Sequence, residues 1–72
     1  MTSRPFDSLN ESIGEKVLVK LKDNQNIRGL LKAFDVHLNI VLENAEELVD
    51  GEVKTKYGKL MIRGDSIISI VL

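Results

Sequence analysis

After Gly14, apolar side chains recur at every second position in short runs that are separated by turn-forming residues. Val17, Val19 and Leu21 form the first run, and Asp50-Gly51 is a typical hairpin dipeptide between two later ones. A period of two indicates half-buried β-strands. The five predicted strands are Val17–Leu21, Ile27–Phe34, Leu38–Leu42, about Val53–Ile62 and Ser66–Leu72. Short strands and short turns predict a mainly β fold, a strongly bent five-stranded antiparallel barrel that stays open.

Residues before the strands predict one short helix. Pro5 suits the first turn of a helix, apolar residues follow at positions 6, 9 and 13, and Gly14 supplies a stop. The predicted helix covers about residues 5–13. Gly29 and Gly58 lie inside predicted strands, where glycine indicates a bend or a close backbone approach. We expect one domain over residues 1–72, with strands over about residues 15–72.

A chain of 72 residues has little room to stabilise itself. Apolar burial contributes roughly 110 kcal/mol at this size, and ordering the chain costs roughly as much. The absence of cysteine excludes disulfides and thiolate zinc sites, and a single histidine leaves little for other metal sites. We expect no metal and no cofactor, which leaves self-association as the common stabiliser.

The last predicted strand indicates how copies could associate. Residues 67, 68, 70, 71 and 72 are apolar, so both faces of the strand are apolar. Such a strand is either buried within one molecule or an open edge that pairs with another chain, and periodicity does not decide between them. Head-to-tail pairing that closes would give a ring. Without a membrane-spanning run or a signal-peptide core, we expect a cytoplasmic protein with no membrane partner.

Charge is segregated along the sequence although the net charge is only −1. Residues 16–32 hold five cations and one acid, residues 35–52 hold six acids and no Lys or Arg, and residues 54–63 hold four cations. Either neighbouring strands attract one another, or the folded surface is charge-segregated. The near-neutral total argues against a protein that coats phosphate backbones generically.

One local pattern offers groups that could bind a base. Asp35, His37 and Asn39 alternate with apolar residues, so an extended chain would place them on one face. An imidazole can stack on a base and a carboxamide can bond its edge, which predicts a nucleobase pocket. The alternative is a surface loop whose Asp and Asn bond backbone groups. The turn at residues 63–65, Arg-Gly-Asp, adds a guanidinium, a glycine and an acceptor-only carboxylate.

Two longer motifs resemble those of the Sm and Sm-like (LSm) family of RNA-binding proteins. The matching positions are Val17–Asp23, Gly29, Phe34-Asp35, Asn39, Val41-Leu42 and Ala45–Glu47 in the first motif, and Gly58–Ile67 in the second. The short link between the motifs, and both motifs in one chain, are most similar to archaeal members. The resemblance covers about Pro5–Leu72 and departs from the family pattern at Asn24-Gln25-Asn26 and at Ser66.

The resemblance implies an Sm fold, a small SH3-like open barrel capped by the helix. Archaeal members are usually homoheptameric rings, less often hexamers, in which the fourth strand of one subunit pairs with the fifth of the next. The implied partner is single-stranded U-rich RNA, bound by one uridine pocket per subunit near the pore, in RNA processing or as an RNA chaperone. Other ribonucleoprotein (RNP) proteins are further implied partners.

The same resemblance assigns roles to six residues. The implied RNA-binding residues are His37, Asn39, Arg63, Gly64, Asp65 and Asp35. His37 and Arg63 would sandwich the base. Asn39 would bond its edge with support from Asp65. Asp35 would brace the loop, and Gly64 would leave room for the nucleotide.

Preference for uracil over cytosine then depends on the Asn39 amide. A carboxamide that flips accepts either base, so its NH₂ must be held towards O4 of uracil. A nearby carboxylate favours the N3–H of uracil, which predicts that Asp65→Asn relaxes the preference. Since binding would come mostly from stacking and edge contacts, we expect a shallow salt dependence.

Other classes of function lack the residues they need. A methyl-lysine or Pro-rich peptide reader needs exposed aromatic residues, whereas Phe6 and Phe34 are expected to be buried. His37 has no evident nucleophile partner, and no phosphate loop or metal constellation is present, so we expect no enzyme. The main alternative is a structural oligomeric scaffold for RNP proteins with little RNA specificity of its own.

Overall fold

The computed structural model describes residues 4–72. Helix α1 spans Pro5–Glu11 and is followed by the strands β1 (Lys16–Leu21), β2 (Asn26–Phe34), β3 (Ile40–Val49), β4 (Glu52–Ile62) and β5 (Ile67–Val71), with a 3-10 turn, Gly64–Ser66, before β5. All paired strands are antiparallel, in the order β4-β3-β2-β1-β5. This confirms the predicted mainly β fold, one helix followed by an open five-stranded sheet.

The inner face of the bent sheet forms the core. Val17 and Val19 of β1 are buried there, as the alternation predicts, and pack with Leu31, Ile40 and Leu42. Both predicted bends are present. A Cβ at Gly29 would lie 3.0 Å from the carbonyl oxygen of Glu43, so the β2 and β3 backbones approach closely there. Gly58 adopts φ +75°, and the β3–β4 register shifts beside it.

Two predicted elements, the helix and the third strand, differ from the structure by two or more residues at an end. Helix α1 ends at Glu11, two residues earlier than predicted, and Gly14 with φ +87° then redirects the chain. Strand β3 begins at Ile40 and runs to Val49, so most of the acidic segment belongs to a strand.

The acids of β3 face cations of β2. Arg28 donates to Glu46 with an N–O distance of 2.6 Å, and Lys32 lies 3.7 Å from Glu43. Attraction between neighbouring strands, the first interpretation of the charge runs, is therefore present between β2 and β3.

Both edges of the sheet are open and expose apolar side chains. β4 and β5 are the end strands and do not pair with each other among the described residues. Ile68 of β5 is 64% exposed and Met61 of β4 is 68% exposed, and Val53, Tyr57 and Val71 are also exposed. The alternative in which β5 is buried on both sides within one molecule is therefore wrong.

Helix α1 covers the barrel only in part. Leu9 is buried against the core, whereas Phe6 is 45% exposed and stacks on Phe34 with ring centroids 6.0 Å apart. The prediction that Phe6 is buried is therefore wrong, and Phe34 is half-buried. Within residues 4–72, the helical segment is too short to cross a membrane.

Candidate nucleic-acid interface

The segment between β2 and β3 is a closed turn held by Asp35. One carboxylate oxygen of Asp35 accepts hydrogen bonds from the backbone N–H groups of His37, at 2.9 Å, and Asn39, at 3.0 Å. The backbone N–H of Asp35 bonds the Asn39 carbonyl at 3.1 Å. The extended alternation predicted here is wrong, since Val36 is 74% exposed instead of packing inward. The turn nevertheless brings Asp35 and Asn39 into direct contact.

Leu38 completes this turn in an unfavourable conformation. Its φ is +61°, in the left-handed region that costs a side chain with a Cβ roughly 1–2 kcal/mol. The Leu38 N–H bonds the Asp35 carbonyl at 3.0 Å, which closes the turn around the strained residue. Nothing in the sequence signals this conformation, because leucine does not favour it. The bonds to Asp35 therefore hold His37 and Asn39 in place against local backbone preference.

The side chain of Asn39 links this turn to the turn that follows β4. Its Nδ2 donates to the second oxygen of Asp35 at 3.0 Å, and its Oδ1 accepts the backbone N–H of Gly64 at 2.8 Å. An ionised carboxylate only accepts and a backbone N–H only donates, so the two partners fix which end of the amide is oxygen. A flipped amide would place its oxygen against the Asp35 carboxylate and its NH₂ against the Gly64 N–H.

Hydrogen bonding also keeps Asp35 ionised. The pKa of Asp35 is held below its usual value of 3.8, chiefly by the hydrogen bond from the Asn39 side chain. The backbone N–H groups of Asn39 and His37 act in the same direction. The carboxylate is therefore an acceptor throughout the neutral range, as the fixed orientation of Asn39 requires.

Gly64 lets the two turns meet. A Cβ built on Gly64 would overlap the carbonyl oxygen of His37 and lie 2.9 Å from the Leu38 carbonyl carbon. The resemblance implied that Gly64 leaves room for the nucleotide. In the structure, the His37 backbone lies where a Gly64 side chain would project. Only glycine permits the contact between the Gly64 N–H and Asn39.

Arg63 and Asp65 flank this contact and pair with each other. A guanidinium nitrogen of Arg63 lies 3.1 Å from a carboxylate oxygen of Asp65, and both side chains are largely exposed. Asp65 therefore pairs with Arg63 and makes no hydrogen bond to Asn39. The predicted support of Asn39 by Asp65 is corrected accordingly, because the carboxylate that holds the amide is that of Asp35.

These groups line one open cleft with a volume of about 500 Å³. Its lining residues are His37, Asn39, Arg63, Gly64 and Asp65. Five of the six predicted site residues thus meet at one place, and Asp35 lies behind Asn39 as its support. The surface-loop alternative is also partly realised, since Asp35 bonds backbone groups and His37 is exposed. Among residues 4–72, no cluster of acidic or histidine side chains could hold a metal ion.

Known proteins with this fold and these motifs identify the family. Residues 7–72 match the LSM domain family. The chain belongs to the Sm-like (LSm) family. This Sm-like chain is 51% identical over 70 residues to an Sm-like protein of Pyrococcus furiosus, and the match covers 97% of this chain and 92% of the relative. It is 47% identical over 70 residues to one of Methanosarcina barkeri, with 97% of each chain covered.

Solved structures resemble this Sm-like chain over nearly its whole length. The Sm protein of Pyrococcus abyssi in complex with a uridine heptamer has a TM-score of 0.92 at 46% identity, covering 96% of this chain and 97% of that one. The SmAP1 heptamer of Pyrobaculum aerophilum has a TM-score of 0.90 at 44% identity, covering 99% and 95%. The Sm fold expected from the two motifs is confirmed.

Proposed function

We propose that this Sm-like chain forms a homoheptameric ring that binds single-stranded U-rich RNA, with one uracil in the cleft of each subunit. The observation that carries the proposal is the fixed amide of Asn39 on the cleft wall. Two structures of similar chains support it, one a heptamer and one in complex with a uridine heptamer. The proposed role is binding in RNA processing or as an RNA chaperone, without catalysis.

The fixed amide has one donor and one acceptor left for a ligand. One N–H of Asn39 is used by Asp35, which leaves the second for O4 of uracil. One lone pair of Oδ1 is used by the Gly64 N–H, which leaves the other for the N3–H of uracil. Cytosine presents an amino group and a bare N3 at the same positions, so it opposes both contacts. Asp35 and Gly64 thereby select uracil without touching it.

Stacking supplies the remaining affinity. The imidazole of His37 and the guanidinium of Arg63 both line the cleft, and both side chains are exposed. Stacking contributes roughly 1–3 kcal/mol per base. One such pocket binds weakly, but a ring of identical pockets binds successive nucleotides of one strand at high effective concentration.

The open edges support the ring. β4 ends the sheet on one side and β5 on the other, and each exposes apolar side chains and unpaired backbone groups. Pairing of β4 in one subunit with β5 in the next is head-to-tail, and it closes into a ring when the rotation permits. We propose that residues 1–72 act as one domain in this assembly, and the cytoplasmic location stays a prediction.

The first test is a fluorescence-anisotropy titration of labelled oligo(U), oligo(C) and oligo(A) at one fixed salt concentration. We expect clear preference for oligo(U), and loss of that binding in the His37→Ala/Arg63→Ala double variant. Equal and weak binding of all three would refute the proposal and favour the alternative, an oligomeric scaffold for RNP proteins. The scaffold predicts that the double variant keeps its protein partners.

A matched pair of variants tests the mechanism of base choice. Asp35→Asn removes the acceptor that holds Asn39, so the ratio of oligo(U) to oligo(C) affinity should fall by about tenfold, the value of one hydrogen bond. Asp65→Asn leaves the hydrogen bond between Asp35 and Asn39 intact, so it should leave the ratio nearly unchanged. A fall in the ratio for Asp65→Asn alone would restore the role first predicted for Asp65.

A further inference from the structure

A row of cations follows one face of the edge strand β4 and ends at the cleft. We call it the β4 cation row, and its members are Lys54, Lys56, Lys59 and Arg63. All four side chains are exposed, whereas Thr55 and Leu60 are half-buried on the opposite face. Arg63 is also a lining residue of the cleft, so the row and the cleft share a residue.

A bulge in β4 keeps the row on one face. Lys56 lies opposite Glu46 and Gly58 lies opposite Ala45, so Tyr57 is an extra residue in β4. The Tyr57 hydroxyl donates a hydrogen bond to the buried carboxylate of Glu47 at 3.4 Å, so this side chain reaches back to the inner face of the sheet although it is still 44% exposed. Strict alternation would send position 59 to the inner face. The bulge, with Gly58 at φ +75°, returns Lys59 to the face of Lys56.

The lysines of the row form no ion pair among residues 4–72, although Lys56 lies across the strand pair from Glu46 and its charge helps to lower the pKa of that carboxyl. Their nearest acids across the sheet are on β3, where Glu46 is bonded to Arg28 at 2.6 and 3.0 Å and Glu43 lies 3.7 Å from Lys32. Within residues 4–72, no carboxylate oxygen lies within 4.0 Å of Lys54, Lys56 or Lys59. Positive charge is therefore concentrated along this strand in a chain whose net charge is −1.

We propose that the β4 cation row binds the phosphate backbone of single-stranded RNA where the strand leaves the cleft, whatever its bases. The inference rests on the proposed function, because the RNA must first occupy the cleft beside Arg63. At roughly 3.3 Å per residue, Lys59 lies up to about 13 Å from Arg63 and Lys54 up to about 30 Å along the strand. The row offers charge but no aromatic ring or amide, so it can recognise phosphate and not base.

The proposal changes the expected salt dependence for RNA longer than the cleft. Each phosphate contact on a single strand adds about 0.7 to the slope of log affinity against log salt. Three lysines would add about 2 to this slope. A tailed RNA should therefore lose about 20-fold more affinity than an untailed one between about 50 and about 200 mM salt. The shallow salt dependence predicted from stacking and edge contacts then applies only to RNA that ends within the cleft.

The test compares a uridine heptamer with heptamers that carry a tail of about 12 adenosines or cytidines at either end. We expect the tail to raise affinity at low salt from one end, equally for both bases. Lys54→Gln/Lys56→Gln/Lys59→Gln should abolish this gain and change the affinity of the untailed heptamer less than twofold. The control, Lys16→Gln/Lys20→Gln/Lys22→Gln, removes the same charge from β1 and its following turn, and it should keep the gain.

Several outcomes would refute phosphate binding by the β4 cation row. A tail that adds no affinity to a bound heptamer refutes it and leaves the proposed function intact. An equal effect of both triple variants would assign the gain to net charge, and a gain for one base only would assign it to base recognition. If the untailed heptamer itself does not bind, the proposed function is wrong, and phosphate binding by the row is wrong as well. Circular dichroism and mass in solution verify that both variants fold and assemble.

Discussion

Replacing Gly64 with alanine is expected to separate the two turns of the cleft. The added Cβ would overlap the carbonyl oxygen of His37 and lie 2.9 Å from the Leu38 carbonyl carbon, both backbone atoms that cannot move aside singly. Relief of the overlap costs about 1–3 kcal/mol. Loss of the 2.8 Å hydrogen bond from the Gly64 N–H to Asn39 costs about 1 kcal/mol more. The free energy of unfolding should therefore fall by about 2–4 kcal/mol.

The assay combines chemical unfolding at a fixed subunit concentration with titration of oligo(U). Gly51→Ala is the matched control, because Gly51 has φ +81° but, beyond its chain neighbours, no heavy atom lies within 4 Å of where the added methyl group would sit. It should cost only about 1–2 kcal/mol of backbone strain and leave oligo(U) affinity unchanged. If Gly64→Ala prevents folding, Asn39→Ala removes the same hydrogen bond without overlap. The contact of the Gly64 backbone with His37 and Asn39 would be refuted if Gly64→Ala lowered the free energy of unfolding by less than about 1 kcal/mol and bound oligo(U) normally.

Three further predictions address the acid range, the core and the assembly. The folded-state pKa of Asp35 lies below its usual 3.8, so its stabilising effect is complete above that value and is lost as the pH falls through the lower folded value. In an NMR titration the carboxyl carbon shift of Asp35 should therefore have its midpoint below pH 3.8, and a midpoint at or above 3.8 would contradict the bonding described. Leu31 is fully buried, so Leu31→Ala should lower the free energy of unfolding by about 2–5 kcal/mol, measured by denaturant titration, and a loss under about 1 kcal/mol would argue against its core position. A heptamer of 8.1 kDa subunits has a mass of about 57 kDa (7 × 8.1), and Ile68→Glu on the β5 edge should reduce the mass found by sedimentation. Val36→Glu, at a similarly exposed site in the turn between β2 and β3, should leave that mass unchanged.

Local sequence signals predicted most of the fold because they act through neighbouring residues. Alternation placed Val17 and Val19 in the core, and glycine inside β2 marked the close approach to β3. The length of β3 was missed because its outward positions carry acids, which resemble a loop until Arg28 and Lys32 of β2 are seen beside them. Pairing between strands is decided by tertiary contact, which a single segment does not contain.

The candidate site was predicted in its membership and not in its internal bonding. The motifs brought five residues to one cleft, but the sequence did not show that Asp35, and not Asp65, holds Asn39. The left-handed Leu38 and the contact of Gly64 with the His37 backbone depend on how two distant turns meet. Residue types show which hydrogen-bond donors and acceptors are available, whereas the bonds that form among them depend on how the folded backbone packs.

The unlike ends of the sheet have a thermodynamic consequence for assembly of the proposed ring. Each added subunit pairs one of its edge strands with the growing assembly and leaves its other edge strand unpaired. An incomplete ring of any length therefore has one unpaired β4 edge and one unpaired β5 edge. Only closure removes both at once, and the last contact gains an interface without the loss of translational freedom that each earlier addition incurred. Partial arcs should therefore be scarce at equilibrium, and dilution should convert complete rings directly into single subunits.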